Sequence, residues 1–218
     1  MTAQVQLDSA ISGLHASSPE TLPFAPSLEI RSFVLRRAHG NLLIYGSRGL
    51  AVDAQAIEDL GGISRHYLNH RHEATFAPEG LTTPLFCHER ERSAVETHLA
   101  VRATFSRRHT LDDDFEVIPA PGHTSGATAF LWDSGEHRVL FTGDSVYLDD
   151  GEWVAAVLDS SERTAYLTSL ELSRGLEFDV LVPWAATAGQ PYLAATSRAE
   201  AERRLDAMIA RVARGEAR

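Results

Sequence analysis

Short apolar runs that break off in polar, chemistry-bearing turns are the feature that most limits how this chain can fold. "SRHYLN" runs into "HRHEAT", "DFEVIPA" into "PGHTSGA", and "RVLFTGD" ends on a carboxylate. Runs of this length, bounded by Gly, Pro, Asn or Asp, read as buried strands. "LEIRSFVLRR", "NLLIY" and "GLAVD" precede them as strands, with turns at Gly46 and Arg48–Gly49, and "PLFCH" and "FDVLVPW" are further buried strands. Helical patterns fall between. "AQAIEDLGG" predicts a short helix closed by glycine, and "ERERSAVETHLA" predicts another. Asp159 and Glu162 form a capping-box pattern ahead of Tyr166, Leu167 and Leu170, with Gly175 as the stop. Ser197 and Glu200 cap a last helix, whose Leu205, Met208, Ile209 and Val212 recur at helical spacing. The order implies an α/β (α+β) chain of two sheet-plus-helix halves, packed face to face with helices outside.

Bulk properties narrow the function classes. The 218 residues suit one α/β domain or two small ones, and 44% hydrophobic residues can fill a core. A net charge of −10 argues against the basic face that nucleic acids and anionic membranes require. Cys87 stands alone, which rules out an intramolecular disulfide and thiolate zinc clusters; within "PLFCH" it reads as a small buried apolar residue. The N-terminus has no basic start and no apolar run of secretory length, and no stretch reaches the roughly 20 apolar residues of a membrane span. The expected location is the cytoplasm. Residues 1–26, rich in Ser and Pro, are expected to form an N-terminal arm, and residues 27–218 a single domain.

Three segments carry candidate chemistry. His70 and His72 are two apart, so in an extended or tight-turn segment both imidazoles reach one ion. Pro121–Gly122 forces a turn before His123. Asp144 follows Gly143 at the end of an apolar strand, as a turn cap or a ligand. Each alone has an ordinary structural explanation. Together, three histidines and one aspartate, each at a strand end, suffice as donors for one divalent ion.

The succession HxH, "PGHTSGA" and "FTGD" resembles the metallo-β-lactamase fold family over about residues 28–185. The resemblance implies a four-layer αββα sandwich. It also implies metal ligation by His70, His72, His123 and Asp144, the last in the position that usually bridges two ions. The family's other positions are not kept. The Asp of its HxHxDH signature is Ala74, the following His is Thr75, and Ala185 or Ala186 stands at the final His. Glu73 adjoins the lost Asp, but in an extended segment its side chain points away from His72. Asp144 alone cannot hold a second ion, so a two-metal mechanism is not expected.

The expectation is therefore one divalent ion, zinc ahead of iron. The leading reading is a metal-dependent hydrolase of a small ester, thioester or amide, with Asp144 as ligand or proton acceptor. Two alternatives stand beside it. His70, His123 and Asp144 form a two-His-one-carboxylate set, which resembles the iron site of the family's persulfide dioxygenases. Or the chain binds no metal, and a decayed site serves as a binding cleft.

Overall fold

A computed structural model of the chain describes residues 8–216. The fold is mixed α/β, as the strand and helix order implied, and the chain divides into two compact units, Met1–Phe105 and Ser106–Arg218.

The first unit holds a seven-stranded sheet. Asp8–Ile11, Leu14–Ala16, Phe33–Leu35 and Leu42–Ile44 pair antiparallel in that order. Arg65–Tyr67, Leu85–His88 and Val101–Phe105 then continue it in parallel. Leu42–Ile44 is buried at every residue, which is the pattern of a parallel strand covered on both faces. The second unit holds a six-stranded sheet of His109–Leu111, Phe115–Pro119, Thr128–Asp133, Arg138–Gly143, Val180–Pro183 and Ala194–Ala195. Its one parallel pair is Arg138–Gly143 with Val180–Pro183. Two of the chemistry-bearing turns leave the C-terminal ends of strands with a parallel neighbour: His70 follows Arg65–Tyr67 and Asp144 follows Arg138–Gly143, whereas the His123 turn follows Phe115–Pro119, which is antiparallel to both its neighbours.

Several elements differ from the sequence expectation. Residues 1–7 of the expected arm lie outside the described residues. The remainder forms strands, because Leu14 and Ala16 alternate into the core and Leu14–Ala16 pairs with Phe33–Leu35. Polar side chains tie the same segment down. The Ser18 N–H and hydroxyl both donate to the buried Asp53 carboxylate, at 2.5 and 2.8 Å. The Ser17 and Ser32 hydroxyls both bond the Ser47 hydroxyl. "GLAVD" is not a strand: Gly49–Val52 and Ala54–Asp59 are short helices. They form the crossover that a parallel link between Leu42–Ile44 and Arg65–Tyr67 requires. A Cβ at Gly49 would meet the Ser18 carbonyl at 2.0 Å, so this glycine serves close packing rather than a hairpin. The "ERERSAVETHLA" segment winds only briefly, over Glu89–Glu91 and Arg92–Val95. The helix expected from Asp159 begins later. Glu162 itself is the cap of Arg163–Arg174, its carboxylate accepting the N–H groups of Thr164 and Ala165. The last helix, Arg198–Arg214, is capped by Ser197 as expected, and Gly215 closes it in a left-handed conformation. Cys87 sits in an apolar cluster with Leu68, Ala74, Leu85, Val95 and Leu99. Burial, then the nearby Glu91 charge, pushes its thiol up to about 12, which keeps it inert.

His66 is fully buried in Arg65–Tyr67. Its Nε2–H donates to the Tyr45 carbonyl at 2.7 Å, and Nδ1 has no hydrogen-bond partner among the described residues. Burial holds its pKa down at about 4, because a proton on Nδ1 would be desolvated. The folded pKa lies below the unfolded value of about 6.5. The stability contributed by neutral His66 is therefore complete above pH 6.5 and lost as pH falls towards 4. Between pH 7 and pH 4.5 the wild type should lose on the order of 2–3 kcal/mol more than a His66→Gln variant, measured by urea unfolding at each pH.

Candidate metal centre

In the first unit the sheet strand Arg65–Tyr67 leads through Leu68 and Asn69 into the histidine pair. The segment is not extended beyond His70: Arg71–Thr75 is a 3₁₀ turn, with His70 in extended backbone just before it. The winding brings the two imidazoles together at 4.9 Å between ring centroids, edge to face. It also buries Glu73 against His70 and outside the donor group, although the segment is wound rather than extended as expected. Glu73 Oε1 lies 2.9 Å from His70 Nδ1, and Asn69 Oδ1 lies 3.0 Å from the same nitrogen. Both partners are acceptors, so Nδ1 carries the proton and Nε2 the lone pair. Two contacts hold the turn in place. The Arg71 N–H donates to the buried Glu91 carboxylate at 3.1 Å. A Cβ at Gly46 would meet the Glu73 carbonyl at 2.6 Å, so only glycine allows that approach.

Ala74 and Thr75, which stand where the family signature has Asp and His, do not face a common site. Ala74 belongs to the apolar cluster around Cys87. Thr75 is exposed, its hydroxyl turned onto the His72 carbonyl.

In the second unit Pro121–Gly122–His123 is held from several sides. The Ser169 hydroxyl donates to the Pro121 carbonyl at 2.7 Å and the Ser161 hydroxyl to the His123 carbonyl at 3.1 Å. The Glu162 N–H donates to the Gly122 carbonyl at 3.1 Å. Gly122 has φ 148°, and a Cβ there would meet the Tyr166 Cα at 2.4 Å. The turn thus lies directly on the Arg163–Arg174 helix. His123 Nδ1–H donates to the Ala156 carbonyl at 2.7 Å, which again leaves the lone pair on Nε2. That nitrogen lies 3.7 Å from Asp144 Oδ2. The Tyr166 hydroxyl donates to the Ser145 carbonyl at 2.7 Å and so supports the Asp144 turn as well. Burial, and after it the Asp144 charge, raises the Tyr166 pKa well above its ordinary value, so the phenol stays a neutral donor.

One donor atom from each of His70, His72, His123 and Asp144 lies within 4.8 Å of all the others. These are the four residues expected from the sequence. Tetrahedral zinc with bonds of about 2.0–2.1 Å sets its ligands roughly 3.4 Å apart. The 3.7 Å between His123 and Asp144 is close to that spacing. The donor set of three imidazoles and one carboxylate suits zinc or iron. His70 and His123 are buried, while His72 and Asp144 are partly exposed. No Ala74, Thr75, Ala185 or Ala186 donor exists, and both alanines at the final-histidine position are buried, Ala185–Thr187 being a strand. Sequence reasoning missed Glu73, Asn69, Glu91 and Tyr166. The His70-x-x-Glu73 spacing was the available signal, legible only if the segment winds at three residues per turn.

Gly122→Ala should cost about 3 kcal/mol or more in urea unfolding, since the added methyl collides with helix backbone rather than with a movable side chain.

The family model described as the metallo-beta-lactamase superfamily matches residues 63–185, more than half of the chain. No curated protein sequence matches. Among solved structures, a metallo-β-lactamase from Erythrobacter litoralis superposes with a TM-score of 0.72 at 12% identity, covering 96% of this chain and 98% of its own. A metallo-β-lactamase from Pontibacter korlensis gives 0.70 at 14% identity, covering 96% and 99%. BJP-1, a subclass B3 metallo-β-lactamase of Bradyrhizobium japonicum, gives 0.66 at 15% identity, covering 98% and 94%. At these identities the likeness establishes the fold. Together with the motif-bearing match of residues 63–185 and the His/Asp group, it places this chain in the metallo-β-lactamase superfamily.

Proposed function

We propose that the chain is a single-ion metallohydrolase acting on a small ester, thioester or amide. The observation that carries this reading is the four-donor group of His70, His72, His123 and Asp144, to which no further His, Cys, Asp or Glu belongs among the described residues. Ala74 supports it, being packed in an apolar cluster where a second ion would need a ligand. In this reading His70, His72 and His123 hold the ion and Asp144 completes or flanks the set. Such an ion supplies Lewis acidity, polarising a carbonyl and lowering the pKa of coordinated water towards about 7.

The chain's own residues do the rest. The hydrogen bonds to His70 and His123 Nδ1 fix both rings before any ion arrives, so binding costs little reorganisation. Asp144 Oδ2 is positioned to take up a proton on the partly exposed side of the group. A second reading rests on the same group: His70, His123 and Asp144 alone form the facial set of non-haem iron oxygenases.

Elemental analysis after purification without added metal tests both readings. About one zinc per chain is the expected result, about one iron would favour the oxygenase, and no metal even after loading would sink both. His123→Ala should abolish occupancy. In the zinc-loaded enzyme, Asp144→Asn should lower kcat on aryl ester or thioester probes by on the order of 10²-fold or more. An unchanged kcat would remove Asp144 from the chemistry.

A further inference from the structure

Glu73 has no place among the four donors, yet it is completely buried. A buried carboxylate is costly unless it is paired and hydrogen-bonded. Here Oε1 accepts from His70 Nδ1 at 2.9 Å and Oε2 accepts the Asn69 N–H at 3.2 Å. Asn69 Oδ1 approaches the same Nδ1 at 3.0 Å, so two acceptors converge on one imidazole proton. The 3₁₀ winding of Arg71–Thr75 is what sets Glu73 beneath His70, because side chains three apart eclipse in such a turn.

We infer that Glu73 is a positioning residue that acts through His70: its carboxylate holds the imidazole as an Nε2 donor and tunes that donor's affinity for a cation. The inference rests on the single-ion reading above. Charge supports it. A divalent ion with Asp144 as its one anionic ligand leaves a net charge of about +1 in a mostly buried group. The Glu73 carboxylate, joined to the group through a hydrogen-bonded imidazole, brings that sum to zero. It also makes the His70 ring more electron-rich, as a carboxylate on the distal nitrogen of a metal-bound histidine does.

The test is zinc and cobalt(II) affinity of the full chain, by competition with a chromophoric chelator, with the d–d absorption of the cobalt form as a second readout. Glu73→Gln keeps the size and can keep one hydrogen bond, but it removes the charge. It should weaken affinity 10- to 100-fold and shift the cobalt spectrum. The double variant Asn69→Asp/Glu73→Gln returns a carboxylate to the same Nδ1 and should recover most of the lost affinity. Wild-type affinity in a folded Glu73→Gln protein, or no recovery in the double variant, overturns the inference. If Glu73→Gln does not fold, the single variant Asn69→Asp should tighten binding instead, and unchanged affinity there overturns it equally. A wild type that binds neither ion would be a different failure, that of the single-ion reading itself.

Discussion

The candidate centre depends on two buried imidazoles gripped by their Nδ1 atoms. His70 gives its proton to Glu73 and Asn69, and His123 gives its proton to the Ala156 carbonyl. A neutral imidazole has one donor and one acceptor nitrogen, so fixing the first decides what the second can do. With both rings held this way, Nε2 of each carries the free lone pair that a cation would need. Most of the other constraints in the two loops serve that end: Gly46 lets the backbone approach Glu73, and Gly122 lets the His123 turn lie on Tyr166.

The same loop commits its neighbouring residues elsewhere, which is what the proposed single-ion reading builds on. Ala74 is committed to the cluster of Leu68, Leu85, Cys87, Val95 and Leu99, and Thr75 to the His72 carbonyl. The negative charge of this loop sits instead on Glu73, one bond network away from the donors. Tyr166 plays the matching part in the second unit. Its hydroxyl supports the Asp144 turn, and its backbone carries Gly122, so one buried aromatic side chain and its helix set the spacing between His123 and Asp144.

Much of the fold was legible because the buried strands carry their own signal. Leu42–Ile44, Leu85–His88, Phe115–Pro119, Thr128–Asp133, Arg138–Gly143 and Val180–Pro183 all fall within apolar runs bounded by turn residues. The Ser197 cap and the spacing of Leu205, Met208 and Val212 marked the last helix equally well. The misreadings share a cause. Residues 8–26 looked like a loose arm because their strands are short and held by Ser17, Ser18 and Asp53 contacts with distant residues. "GLAVD" has strand composition, but it lies in a parallel crossover, and local propensity does not know which strand comes next in the sheet.

The sequence by itself determined the family and pointed to the four residues that the fold brings together, because these depend on residue identity and spacing along the chain. Tertiary structure alone decided which nitrogen of each histidine faces the group, that Glu73 turns inwards, and that Ala74 turns into an apolar cluster. Those outcomes depend on a 3₁₀ turn, without which the His70-x-x-Glu73 spacing has no meaning, and on acceptors such as the Ala156 carbonyl, distant in sequence from the histidine it orients.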